Sequence, residues 1–219
     1  MKMVKRVKRA RSYNSTRRRE QADTTRRDII NAAQKLFERD GYAATTMAGI
    51  AREAGVALKT VYLSLDSKSG LLSTLWDVLL RGGEDAPAVA QLAWYREVLE
   101  EPDPARRLRL NARNATAVRR RIGVLLGVIR DAAPSDPAIG ALWKRIQTSF
   151  YDNQYSIVAS IKAKYALRNG LDATRATDIL WTLIHPDIWL LLVGQRGWSP
   201  EDFEQWLGDI ACEQLLKDT

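Results

Sequence analysis

Three times in this chain a side chain able to cap a helix stands directly before proline: Asp103-Pro104, Asp136-Pro137 and Ser199-Pro200. A cap oxygen accepts from the free N–H groups of a first helical turn, and proline at the next position has no N–H to leave unsatisfied. Each pair predicts a helix start, and the residues that follow space their apolar side chains at helical rather than strand period. The first helix is predicted through about Arg120. The second carries Ile139, Leu142, Trp143, Ile146, Phe150, Ile157, Ile161 and Tyr165 at helical spacing, and the third Phe203, Trp206, Leu207, Ile210 and Leu215. Between the first two, "IGVLLGVI" (122–129) is apolar all round and predicts a separate short buried helix. Asp172 opens a further helix that must bend at His185-Pro186.

The N-terminal part follows the same period. "DTTRRDIINAAQKLFERDGY" puts Ile29, Ala33, Leu36 and Phe37 on one stripe, starting near Asp23 and stopping at Gly41. Thr45 or Thr46 caps a short helix that ends near Gly55, and a second short helix covers about Leu58 to Ser64. Ser67 caps a longer one with Leu71, Leu72, Leu75, Val78 and Leu79 as its apolar side, broken by "RGGEDAP". The expected fold is all-α with about nine helices. Residues 1–22 form a basic arm, 23–82 a first domain with three helices, and 83–219 a second helical domain.

Charge narrows the partners. Residues 1–19 hold nine of the 34 Lys/Arg and no acid, which leaves the rest of the chain close to neutral. A basic flexible arm on a neutral body points to a polyanion; a merely solubilising tail is the plain alternative. The single Cys allows no internal disulfide, no apolar signal-peptide core opens the chain, and no apolar run reaches the ~18 residues of a membrane span, so a cytoplasmic protein without a membrane partner is expected. No cofactor or metal is expected, since His185 and Cys212 are the only residues of their kinds and lie far apart. Cys212 reads as a small buried hydrophobe. Phosphate-binding, metalloprotease and nucleophile-elbow motifs do not occur, and adjacent acids such as Glu100 and Glu101 diverge on a helix, so an enzyme is the weakest reading.

The stretch "IAREAGVALKTVYLSLDSKSGLL" carries the most specific chemistry. Two short helices turning at a glycine are a helix-turn-helix, with Gly55 at the positive-φ position and Ala51 and Ala54 permitting close approach. Val56 and Val61 pin the pair to the long helix before it. The second helix then projects Leu58, Lys59 and Thr60 outward. A helix of this size fits the DNA major groove, where lysine donates to guanine O6 or N7 and an apolar group meets the thymine methyl. Tyr62 and Lys68 fall where a hydroxyl and an ammonium can hold phosphates.

With "GYAATTMAGIAREAGVALKTVYLSLDSKSGLL" the chain resembles the DNA-binding segment of the TetR family of bacterial transcriptional repressors over about residues 23–80. The matching features are Gly-Tyr ending the first helix, the Thr pair, Ile-Ala, Ala-Gly-Val, Thr-hydrophobic-Tyr, and Ser-Lys before an apolar pair. The resemblance implies groove or backbone contacts at Tyr42, Thr46, Thr60, Tyr62 and Lys68, and Lys59 as base reader. The family often has Ser where this chain has Ala57, and His and Tyr where it has Leu63 and Ser64. Arg17, Arg18 and Arg19 are placed to reach the minor groove and offset those losses.

The remainder is similar in pattern to a TetR-type regulatory domain, and "LDATRATDILWTLIHPDIWLLLVGQRGWSPEDFEQWL" resembles the closing segment common among actinobacterial members of that family. The expected function is a homodimeric repressor of a pseudo-palindromic double-stranded DNA operator, released by a small molecule. The alternatives are an architectural DNA binder without an effector and, less favoured, an α-helical enzyme. The effector pocket is expected near Asn111, Asn114, Trp143, Gln147, Trp181 and His185. The plain reading of Asn111 is an amide satisfied by a neighbouring helix, and that of the tryptophans is core. With no Lys/Arg cluster expected to look inward, the ligand should be uncharged or weakly charged, apolar or aromatic. Leu191, Leu192, Phe203 and Trp206 are the expected dimer contacts. Gly123 and Gly127 either let the wall helix shift or merely permit close packing.

Overall fold

The computed structural model describes residues 8–84, 86–87, 89–168 and 170–217. It is all-α, as expected: α1 (Lys8–Ala44), α2 (Met47–Glu53), α3 (Leu58–Ser64), α4 (Lys68–Arg81), α5 (Ala93–Glu100), α6 (Pro104–Ala132), α7 (Pro137–Lys162), α8 (Ala173–Leu183), α9 (Pro186–Trp189) and α10 (Pro200–Leu215). A 3-10 turn covers Val89–Gln91, and a π-helical turn, Leu190–Gln195, continues α9. The chain divides into two compact units, Met1–Leu75 and Trp76–Thr219, so the division falls within α4 rather than at the glycines that follow it.

In the first unit α1 starts at Lys8, not near Asp23, and residues 8–22 of the expected flexible arm continue it as helix. The segment contains neither Gly nor Pro, so nothing in it breaks a helix; residues 1–7 of the arm lie outside the described residues. At Gly41 the backbone leaves helical values (φ 76°, ψ 175°), which turns the chain where the sequence says it must. Thr46, not Thr45, caps α2, its hydroxyl accepting from Gly49 N at 3.0 Å. Thr45 is buried and donates instead to Gly41 O at 2.8 Å. Ile29, Ala33, Phe37, Ile50, Val61, Leu71, Leu72 and Leu75 are fully buried and form this unit's core.

In the second unit, α6 is flanked by α5, α7 and α10. The expected separate helix "IGVLLGVI" is its C-terminal part, since α6 runs unbroken for 29 residues. Two glycines inside a helix cost propensity but do not stop it when the flanking residues are as apolar and well buried as Ile122, Leu125, Leu126 and Ile129. The predicted caps operate: Asp103 accepts from Arg106 N (2.6 Å), Asp136 from Ala138 N (2.9 Å), Asp172 from Arg175 N (2.8 Å) and Ser199 from Asp202 N (3.0 Å). α10 lies close against α6 because Gly208 has no Cβ; one added there would stand 3.1 Å from Arg109 Cγ. α5 has no counterpart in the sequence reading. It is short, its N-cap Leu92 makes no side-chain bond, and only Tyr95 and Val98 bury a face. Tyr165 lies beyond the end of α7, exposed, with its hydroxyl donating to Pro102 O at 2.7 Å.

By length and composition one helical stretch among the described residues, Ala173–Gln195, is apolar enough to cross a membrane, contrary to the expectation that none would be. It is broken at His185-Pro186, and its buried residues Ala176, Leu180, Ile184 and Trp189 belong to the unit's core.

Candidate functional site

In the first unit the sequence builds a short helix with almost nothing to hold it. Val61 is the one buried residue of α3, while Leu58 (42%), Tyr62 (48%) and Leu63 (77%) are exposed large hydrophobics. Lys59 is exposed and Thr60 half-buried on the same first turns. Gly55 takes φ +68° in the turn before it, and Val56 N closes that turn on Ala51 O at 3.0 Å. Ala57 at the N-cap makes no side-chain bond, so the free N–H groups of the first turn face outward uncapped. The far end of α3 is tied down by Arg26, whose Nη1 donates to Ser64 O at 2.9 Å. Arg17, Arg18 and Arg19 are exposed on α1.

Two residues expected to touch phosphate have other work. Tyr42 is buried, its ring stacked on Phe37 (centroids 5.9 Å, 19° between planes). Lys68 turns inward from the first turn of α4 and donates to Tyr42 O at 2.9 Å and Thr45 O at 3.1 Å, with its ammonium 4.1 Å from the Tyr42 ring centre. Those carbonyls sit where α1 ends, and the ammonium gives both a charge-assisted donor. Both side chains set the position of the helix-turn-helix rather than extend its surface.

The second unit contains a cavity of about 270 Å³ walled by the C-terminal part of α4, α5, α6 and α7. From α6 it takes Asn111, Asn114, Ala115, Val118 and Arg119; from α7, Arg145, Ile146, Ser149, Phe150, Asn153 and Gln154; and from α4 and α5, Trp76, Trp94 and Tyr95. The Asn111 amide donates to Gln154 Oε1 at 2.9 Å and that of Asn114 to Trp94 O at 3.0 Å. Burial raises the Tyr95 hydroxyl above its ordinary pKa, so it stays protonated. Trp76 and Phe150 meet at 6.0 Å, tilted by 58°.

No Lys/Arg cluster was expected to look inward, and the wall does hold one buried cation, Arg119. Its side chain is 5% exposed, its guanidinium lies 4.8 Å from the Phe150 ring centre, and one Nη donates to Ile184 O at 2.9 Å. Its Nε–H is buried without a partner. Burial pushes the guanidinium down to about 10, which still leaves it charged at neutral pH. The helical period contains the signal that would have found it: residues 111, 114, 115, 118 and 119 are the i, i+3, i+4, i+7, i+8 series of one face.

Of the six residues expected in the pocket, Asn111 and Asn114 line it, whereas Trp143, Gln147, Trp181 and His185 do not. Gln147, Trp181 and His185 form a separate cluster: the Trp181 and His185 rings meet edge-on at 4.9 Å, and the Gln147 amide lies 3.3 Å from His185 Nε2. His185 Nδ1 accepts from Asp187 N at 3.3 Å and caps α9, so Nε2 carries the proton. Gln147 Oε1, buried and otherwise without a partner, is the atom suited to accept it. Burial lowers the His185 pKa more than neighbouring Asp187 raises it, so the ring is neutral at pH 7.

Among the expected dimer contacts Phe203 is fully buried, packed edge-on against Trp189 at 5.1 Å, and belongs to the intrachain core. Helical spacing gave it the same face as Leu207 and Ala211, and that face is covered by α6. Leu191 is 47% exposed; Leu192 and Trp206 are half-buried. Trp198, Trp206 and Ile210 line a shallow depression on the outer side of α10. Cys212 is half-buried, and burial raises its thiol pKa. Gly123 faces Trp189, whose Nε1 would stand 3.1 Å from an added Cβ, whereas nothing lies within 4 Å of one at Gly127. Close packing thus accounts for the first glycine only.

Comparison with known proteins agrees with this architecture. Residues 29–75 match the family model described as bacterial regulatory proteins, tetR family. The chain is 28% identical over 212 residues to the HTH-type transcriptional regulator TtgR of Pseudomonas putida, covering 91% of this chain and 95% of that one. Solved structures with the same fold include a putative transcriptional regulator from Saccharomonospora viridis in complex with choline (TM-score 0.69, 20% identity, 90% of this chain and 100% of that one). Another is a SmeT–triclosan complex (TM-score 0.69, 19% identity, 89% and 93%). With an uncapped, outward-facing second helix in its helix-turn-helix and a helical unit following it in the chain, the protein resembles the TetR family of bacterial transcriptional regulators.

Proposed function

We propose that the protein is a cytoplasmic, homodimeric repressor that binds a pseudo-palindromic operator and is released by a small aromatic effector held in the cavity of the second unit. The observation that carries the DNA-binding part is the exposure of α3: Leu58, Lys59, Tyr62 and Leu63 stand in solvent while Val61 alone anchors the helix to the core. Leaving that much apolar surface in water is unfavourable unless a partner covers it. The first turn of α3 enters the major groove, with Lys59 reading a guanine and Leu58 a thymine methyl. Thr46, Thr60 and Tyr62 meet backbone, and Arg17, Arg18 and Arg19 add positive charge from α1. Two such helices read half-sites about one DNA turn apart.

Support for the effector part comes from the cavity, whose tryptophans, Phe150 and buried amides have the composition of a small-molecule site. The choline and triclosan complexes are proteins of the same fold that hold small molecules. Ligand favours a dimer whose recognition helices are wrongly spaced for the operator, a coupling of about 1–3 kcal/mol. The outer side of α10, with Trp206 and Ile210, and the neighbouring Leu191 and Leu192 supply the apolar surface for the second protomer.

The test is footprinting of the upstream DNA of the protein's own gene, with light scattering of the free and bound protein. A two-fold-symmetric footprint by a dimer is expected. A monomer, or uniform coverage without sequence preference, would replace this reading with that of an architectural DNA binder. Asn111→Trp should fill the cavity, leaving operator binding intact and abolishing release.

A further inference from the structure

We infer that the effector is an aromatic acid whose anionic group pairs with Arg119 inside the cavity. The inference rests on the reading of this cavity as the effector site. It starts from a charge with no countercharge. Among the described residues no carboxylate bonds to Arg119, whose partners are the Ile184 carbonyl and the face of the Phe150 ring. Removing a guanidinium from water without an anion is costly, and the cost is met only in part by one carbonyl and a ring. Burial is the sole influence on its acidity, consistent with the absence of any nearby anion.

The rest of the wall sharpens the class of ligand. Two guanidiniums and one carboxylate line the cavity, and that carboxylate, Asp77, already accepts from Arg145 at 3.1 Å. The remaining polar side chains on the wall are neutral amides and hydroxyls, so the lining carries an excess positive charge located at Arg119. Its unpartnered Nε–H supplies a donor for the incoming oxygen. A charge-assisted bond of this kind is about twice as strong as a neutral one. Beside it, Trp76 and Phe150 offer two tilted ring faces, and about 270 Å³ admits one or two fused aromatic rings but not a long lipid chain. A cation is disfavoured by the same guanidinium. A neutral aromatic leaves its charge unanswered.

Calorimetric titration of the full-length protein with 2-naphthoate and 2-naphthamide tests this, since the two share a ring system and differ in charge. Wild type should bind the naphthoate about tenfold or more tightly than the amide. Arg119→Met should erase that preference by weakening naphthoate alone, and Arg119→Lys should keep part of it. Asn111→Trp should block both probes. Equal or tighter binding of naphthamide by wild type, or a preference that survives Arg119→Met, overturns the pairing and leaves the cavity as the effector site. Binding of neither probe, or binding that Asn111→Trp leaves unchanged, overturns the cavity reading and the pairing together. If Arg119→Met fails to fold by circular dichroism, the wild-type comparison and Arg119→Lys decide the matter.

Discussion

The ammonium of Lys68 lies 4.1 Å from the centre of the Tyr42 ring and donates to the carbonyls of Tyr42 and Thr45, at 2.9 and 3.1 Å. One side chain from the first turn of α4 thus closes the end of α1, where the backbone has turned at Gly41. Close by, Thr46 opens α2, so the corner fixes where the helix-turn-helix begins.

Lys68→Met retains the apolar stem over Tyr42 and removes the donors. It should cost about 1–3 kcal/mol of stability, because two carbonyls lose a charged partner. The salt dependence of operator binding should be unchanged once the fraction folded is accounted for. Urea titration and affinity at several salt concentrations check both; a slope lower by about one would mark a phosphate contact instead.

Lys59 is exposed and holds nothing in place. Lys59→Ala should leave the melting temperature where it is and reduce the discrimination between operator and random DNA by about 1–3 kcal/mol. Competition binding against both DNAs measures that ratio, and an unchanged ratio would remove Lys59 as the base reader.

Ala57 sits at the N-cap of α3 with extended backbone (φ −68°, ψ 144°) and no side-chain bond. A serine there can accept from the first-turn N–H groups without strain. Ala57→Ser should stabilise the first unit by about 0.5–2 kcal/mol. Thermal melts of the two proteins give the sign.

His185 supplies a pH dependence. Burial lowers its folded-state pKa below the ordinary 6.5, so the unfolded chain takes up the proton first as pH falls. Its neutral form therefore supports the fold fully above about pH 6.5, and that support declines as pH falls from there toward the lowered folded-state value. The urea midpoint should fall between about pH 7.5 and 5.5. His185→Asn, which keeps an acceptor for Asp187 N, should show a smaller fall.

The helices were legible because caps and apolar period are local properties. Asp103, Asp136, Asp172 and Ser199 open their helices within a few residues of sequence, and Gly41 and Gly55 turn the chain where only glycine turns cheaply. The exposed face of α3 was legible for the same reason, since on a helix anchored by Val61 the residue two positions earlier, Lys59, falls on the opposite side. The α6 break after Arg120 was expected and does not exist, because an all-apolar segment reads alike whether a helix starts in it or passes through it. What only the tertiary structure decided is which polar groups lose water. Lys68 could have faced phosphate, and it faces two carbonyls; Phe203 could have met a second protomer, and it meets Trp189. Arg119 shares a helical face with Asn111, but its charge enters the cavity because Phe150 of α7 supplies a ring there and Ile184 a carbonyl. A sequence fixes period and chemistry along one element. The environment of a charge depends on what other elements bring to it.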